Sequence, residues 1–240
     1  MNGKIAAVCV TYNRPKQLGQ MIRCFERQDY QNRELIILDD AGQYERTSGD
    51  RWTLISTKTR YPTLGDKRNA ATRLVSPDVE YIAVWDDDDL YLPHALRATM
   101  AALRVAPLSR PSVVLHPDKR GVLSQHETGG LFHSGWGYRR ETFWKYNGYQ
   151  AWNNGEDRLL LKKLEDRGVA TADPIALGFE PFLVYPWEVS EVIHFSNPSM
   201  SYEKAATFCS RPTRIEKWIA DPKIDLDHPR ILPGINPRKF

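Results

Sequence analysis

Apolar residues along the chain fall into short dense runs that alternate with helical spacings. Ile5–Val10 is a continuous apolar, partly β-branched run, which predicts a buried strand. It ends in Thr11-Tyr12-Asn13-Arg14, and Pro15 then suits the first turn of a helix. Leu18, Met21, Ile22 and Phe25 follow at i, i+3, i+4 and i+7, one helical face. A turn at Asp29–Asn32 leads into a second apolar run, Glu34–Leu38, which ends on Asp39-Asp40-Ala41-Gly42. Strand, helix and strand in so short a stretch make a βαβ unit, whose strands run parallel with both carboxyl ends on one edge. Tyr12, Asp39 and Asp40 are therefore predicted neighbours.

The same grammar continues. Trp52–Ser56 reads as a third strand, and Thr63–Val75 as a helix carrying Lys67, Arg68 and Arg73. The apolar run Tyr81–Trp85 then delivers four consecutive aspartates, Asp86 to Asp89, before Pro93 opens a helix to Val105 with Leu96, Met100 and Leu103 on one face. From Ser112 the texture changes. Strands are expected at Val113–Leu115 and Leu131–Trp136, with a polar loop over Lys119–Gly130 between them. A short helix to Tyr146, a turn at Asn147-Gly148 and a helix over Arg158–Arg167 capped by Gly168 follow. Phe182–Tyr185 and Glu191–Phe195 read as last strands, and beyond Ser210 no periodicity survives.

Four carboxylates at the end of a buried strand repel one another, and a hard divalent cation, Mn²⁺ or Mg²⁺, is their natural partner because both prefer oxygen ligands. A solvated acidic turn is the competing explanation of such a run. Its position favours the cation, since open α/β sheets bind ligands at strand carboxyl ends.

Composition narrows the classes. At 240 residues, 41% hydrophobic and 26% charged, the chain is ordinary for a globular protein and long enough for a sizeable core. No apolar run approaches the roughly 20 residues of a membrane span. Met1-Asn2-Gly3-Lys4 leads directly into a core strand without a leader pattern, so a cytoplasmic protein is expected. The cysteines, Cys9, Cys24 and Cys209, show no metal-ligand spacing and suit small buried hydrophobes. A net charge of +3 suits anionic ligands but falls short of the footprint of a dedicated nucleic-acid binder.

Four pieces stand in a telling order: Val10-Thr11-Tyr12-Asn13-Arg14-Pro15; Leu38-Asp39-Asp40; Gly65-Asp66-Lys67-Arg68-Asn69-Ala70-Ala71 followed by Trp85-Asp86-Asp87-Asp88-Asp89 and Pro93; and Gly155-Glu156-Asp157 opening a helix. Over residues 4 to 170 the chain resembles a GT-A fold glycosyltransferase of the family 2 type, inverting and DxD-containing. The resemblance implies an α/β fold with a mostly parallel, twisted, Rossmann-like sheet and helices on both faces. It implies a single domain over residues 1–200, with a nucleotide-sugar-binding half at 1–110 and an acceptor half at 111–200. Residues 201–240 would then be an extension packed on the surface.

It also implies roles. Thr11, Tyr12, Arg14 and Asp40 would hold the nucleoside, and Arg68 the diphosphate. Asp86 and Asp88 align with the signature aspartates: Asp88 as metal ligand, Asp86 and Asp87 as donor contacts, with the register among the four left open. Asp157 would be the catalytic base, and His194 would complete the metal's coordination. Glu and Asp in a first helical turn also stabilise the helix dipole, so spacing alone does not decide for Asp157. Trp136, Tyr138 and Trp152 fall in the acceptor-shaping segment, whereas His116, His126 and His133 carry no comparable argument. Asp39-Asp40-Ala41-Gly42 departs from the family's usual Gly-Ser after the acidic pair. The implied reaction moves a sugar from a nucleotide-sugar donor, UDP-linked by preference, to a hydroxyl acceptor with inversion. Saccharides, lipid-linked hydroxyls and hydroxymethylated bases in DNA are all possible acceptors, and a non-catalytic nucleotide-sugar-binding module is the remaining alternative.

Overall fold

The structure, a computed structural model, describes residues 3–118, 120–186, 226 and 231–235. In chain order it contains β1 (Lys4–Thr11), α1 (Pro15–Glu26), β2 (Arg33–Asp39), β3 (Thr47–Gly49), β4 (Trp52–Ser56), α2 (Leu64–Arg73), β5 (Val79–Val84), β6 (Leu90–Tyr91) and α3 (Ala95–Val105). There follow β7 (Leu108–Ser109), β8 (Val113–Pro117), β9 (Leu123–Glu127), β10 (Gly137–Arg139), α4 (Arg140–Lys145), α5 (Glu156–Asp166), β11 (Thr171–Ala172), β12 (Leu183–Val184) and β13 (Ile231–Ile235).

An eight-stranded sheet runs in the order β11-β7-β10-β5-β1-β2-β4-β3. Its centre, β5-β1-β2-β4, is parallel, whereas β10 and β3 pair antiparallel to β5 and β4. The two faces of β1 show why helices cover both sides. Ile5, Ala7 and Cys9 pack with Leu18, Met21 and Phe25 of α1 and Leu96 and Met100 of α3. Ala6 and Val8 pack with Ala71 of α2 on the opposite face. Alternate residues of a buried strand thus feed separate cores, which is why the run reads as continuously apolar.

From β1 the chain moves outward through β2 to β4, then returns to place β5 on the other side of β1. This reversal opens a crevice at the carboxyl ends of β1 and β5, where ligands bind in open α/β sheets. Thr11 and Asp39 are register partners, as the βαβ reading predicts.

A second, five-stranded sheet, β13-β9-β8-β12-β6, shares the first core through Leu115, Leu123 and Val184. Three local expectations change. Leu131–Trp136 is a turn with a 3₁₀ segment at His133–Gly135, because Trp136 Nε1 folds back to donate to the Gly130 carbonyl; the strand lies at β10. The Lys119–Gly130 stretch contains β9, whose Leu123 is buried while its other residues are polar enough to disguise the strand. Residues 231–235, from the aperiodic tail, pair parallel with β9. The expected strand Glu191–Phe195 lies outside the described residues. No helix among them is long and apolar enough to cross a membrane.

Candidate active site

The crevice widens into a cleft of about 1050 Å³. Thr11, Tyr12, Arg14, Asp40, Arg68, Asp86, Asp87, Asp88 and Asp157, nine of the expected site residues, all line it. The tenth, His194, lies outside the described residues.

Three consecutive residues of α2 organise this cleft, because successive positions on a helix turn by about 100° and so point in three directions. Lys67 reaches Asp40 Oδ1 and donates to the Thr11 carbonyl at 2.6 Å, tying β1 to the end of β2. Arg68 donates through Nε to Glu156 at 3.1 Å and through NH1 to Asp86 at 2.9 Å, tying β5 to α5. Asn69 receives the Tyr149 amide at 3.0 Å and donates to its carbonyl at 2.8 Å, fixing the aromatic segment. The helix is capped by Thr63, whose hydroxyl accepts from the Asp66 amide at 3.1 Å. Gly65 is required where it starts: a Cβ there would lie 1.8 Å from the Gln150 carbonyl oxygen.

On the nucleoside side, Arg60 stacks 3.6 Å from the Tyr12 ring centroid and donates to Asp40 at 2.8 Å. Asp40 also accepts from the Tyr61 amide at 3.2 Å. Burial draws the Lys67 ammonium below the ordinary lysine range, with Asp40 opposing it. Asp39 faces the other way. Its carboxylate accepts from the Ala41 and Gly42 amides, both at 3.1 Å, and from Ser56 Oγ at 2.6 Å, so it shapes the turn after β2.

At the acidic strand end, Asp87 accepts from Thr11 Oγ1 at 2.6 Å and from Arg14 at 2.9 Å, while Asp88 accepts from Arg14 at 2.7 Å. Against burial, which raises it, Arg68 holds Asp86 below the usual carboxylate range. Asp89 has no such partner. Burial, then Asp88 and Asp86, push its carboxyl well above that range against a hydrogen bond with Ser134, and among the described residues its Oδ1 is buried without a hydrogen bond.

These oxygens fit a hard divalent cation. Among the described residues no three or more His, Cys, Asp or Glu side chains converge on one point. The protein side therefore offers one or two carboxylates, Asp88 foremost, and leaves further positions to a ligand's phosphates, as Mg²⁺ sites commonly do.

Across the cleft, Gly155 adopts φ 86° before α5, which turns the chain so that Glu156 and Asp157 form its first turn. Glu156 is buried against Arg68; burial raises its pKa and Arg68 opposes the rise. Asp157 is half-buried in the cleft wall and, among the described residues, accepts from the Arg158 amide at 2.8 Å. The aromatic trio divides. Trp136 and Tyr138 are core residues, whereas Trp152 is 57% exposed and lines the cleft. Lys67, Arg60 and His133 are cleft residues that the motifs did not single out. For Lys67 the missed signal is a lysine flanked by the buried Gly65 and Ala71 on an otherwise weakly apolar helix.

A parallel sheet with a crevice between β1 and β5, an acidic strand end and a facing acidic helix start is the GT-A glycosyltransferase fold. The model for "Glycosyl transferase family 2" matches residues 7–154, and the chain belongs to that family. EpsE of Bacillus subtilis (strain 168), a protein that carries a glycosyltransferase name, is 34% identical over 112 residues, covering 42% of this chain and 38% of that one. The chain thus spans less than half the length of this relative. S. aureus TarS 1-349 in complex with UDP-GlcNAc superposes with TM-score 0.61 at 16% identity, over 84% of this chain and 63% of that one. The mannosyltransferase PcManGT from Pyrobaculum calidifontis, in complex with GDP-Man and Mn²⁺, superposes with TM-score 0.55 at 16% identity, over 72% and 55%.

Proposed function

We propose that the chain is an inverting glycosyltransferase that binds a nucleotide-sugar donor with a divalent cation and transfers the sugar to a hydroxyl acceptor. The observation that carries this reading is the meeting, in one cleft, of the Asp86–Asp89 strand end with the Asp157 helix start. In this reading Tyr12 and Asp40 face the nucleoside, an aromatic surface and a hydrogen-bond acceptor suited to a base and ribose. Asp88 holds the cation, Mn²⁺ or Mg²⁺, whose charge when bound neutralises the diphosphate as it leaves.

Asp157 acts as general base. It takes the proton from the acceptor hydroxyl while that oxygen forms a bond to the anomeric carbon, on the face opposite the breaking bond to the diphosphate. One displacement inverts the carbon. Arg68 is a positioning residue here, since both its carboxylate partners lie within the protein and it joins the donor side to the base-bearing helix. A UDP-linked donor is favoured by the likeness to TarS, whose complex holds UDP-GlcNAc. Residues 1–110 carry the nucleotide contacts, and the acceptor side falls within residues 111–200.

The test is thermal melting with UDP, GDP, CMP and dTDP, each with and without Mn²⁺, beside Asp88→Asn. A ligand at about 100 times its dissociation constant adds ~2.7 kcal/mol. One nucleotide should stabilise the wild type only with Mn²⁺, and Asp88→Asn should abolish the shift. No shift with any nucleotide and metal overturns the reading.

A further inference from the structure

His133 stands in the cleft wall, 8% exposed, and the reading above gives it no task. Its ring packs edge-on against Trp136 at 5.1 Å and Tyr149 at 5.5 Å, and its Nε2 lies 2.9 Å from Tyr149 Oη. Tyr149 is itself immobilised, its backbone clamped by Asn69 and its ring 5.2 Å from Phe143. The imidazole is therefore fixed in plane and direction. Its Nδ1 makes no hydrogen bond among the described residues.

His133 lines the same cleft as Arg68, Asp86 and Asp157, so it borders the space shared by the acidic strand end and the α5 helix start. If the cleft holds a nucleotide-sugar, that space is the sugar's. We propose that His133, held by Tyr149, is a specificity-determining residue that hydrogen-bonds a hydroxyl of the donor sugar through Nδ1. This rests on the donor-site reading of the cleft and deepens it by naming what distinguishes one sugar from another. A fixed polar group that must be satisfied rejects a sugar with a missing or displaced hydroxyl more strongly than an apolar wall does. Burial and then the charge of Arg68 push the imidazole down to about 4, so at neutral pH it is uncharged and suits a hydroxyl better than a phosphate.

The experiment compares binding of UDP and GDP with that of UDP-GlcNAc, UDP-glucose, UDP-galactose and GDP-mannose, by calorimetry with Mn²⁺. The proteins are the wild type, His133→Asn, His133→Phe and Tyr149→Phe, their folding checked by melting temperature. The expected result is that His133→Phe binds the preferred bare nucleoside diphosphate within about twofold of wild type but its sugar conjugate about five- to tenfold more weakly. Preference among the sugars of one nucleotide should narrow, and Tyr149→Phe, which keeps the imidazole but frees it, should narrow it partway. Loss of conjugate and bare nucleotide in equal measure, or of neither, in variants that melt like wild type overturns the proposal alone. Wild type that binds no nucleoside diphosphate overturns the donor-site reading and this proposal with it.

Discussion

Arg14 NH1 donates to Asp88 Oδ2 across 2.7 Å, so a guanidinium sits on the carboxylate assigned to the cation. Against burial, which lowers it, Asp87 and Asp88 hold the Arg14 pKa above its ordinary value. Arg14 thus compensates the acidic strand end in the metal-free protein. Removing one partner of a largely buried pair leaves the other charge exposed to a poor dielectric. Arg14→Gln should therefore lower metal-free stability by about 2 kcal/mol and enlarge the stabilisation produced by Mn²⁺. Melting with and without Mn²⁺ checks this, and an equal Mn²⁺ increment in both proteins contradicts it.

Lys67 and Asp40 form a second pair, with 7% and 2% of their side chains exposed. Lys67→Met leaves Asp40 only Arg60 and the Tyr61 amide among the partners described above and should cost about 2 kcal/mol, whereas the double variant Lys67→Met/Asp40→Asn should recover part of that loss. Urea denaturation of the three variants measures the coupling.

Asp89→Asn should stabilise the protein. The folded pKa of Asp89 lies above its unfolded value, so stability is lost as pH rises through the interval between them. At pH 7 the asparagine removes that loss, so the metal-free protein should melt at a higher temperature. A lower melting temperature for Asp89→Asn at pH 7 would contradict the assignment.

His133 has the opposite pH signature from a salt-bridged histidine. Its pKa is pushed from 6.5 to about 4 by burial, so the unfolded chain binds the extra proton first. Stability therefore rises with pH between about 4 and 6.5, and the His133 contribution, about 3 kcal/mol at ~1.4 kcal/mol per unit, is lost on acidification through that window. His133→Phe should flatten the stability profile there, read by denaturation at stepped pH values.

The strand ends were legible in the sequence because they depend on local pattern: Ile5–Val10 and Tyr81–Trp85 each run apolar into a polar cluster, and parallel pairing then brings Thr11, Asp39 and Asp86 to one edge. The partners of Lys67, Arg68 and Asn69 were not. Their direction depends on where α2 is docked, which the packing of Ala71 against Ala6 and Val8 and of Gly65 against Gln150 sets. Hence the bridge that Arg68 makes between Asp86 and Glu156 in the fold could not be read from its neighbours in sequence. His133 was hidden for a related reason: it lies in an apolar run of strand character that the Trp136 hydrogen bond to Gly130 folds into a turn. β9 escaped because one buried leucine among polar residues carries too little periodicity to mark a strand.

The account stands most directly on turnover. Release of nucleoside diphosphate from UDP-GlcNAc and GDP-mannose with Mn²⁺, followed with water or an added saccharide as acceptor, should be detectable for the wild type. Asp157→Asn should lower it by about 10²- to 10⁴-fold while binding the donor with unchanged affinity. Asp157→Asn that turns over like wild type would contradict the assignment of the base, and with it the inverting mechanism proposed for this cleft.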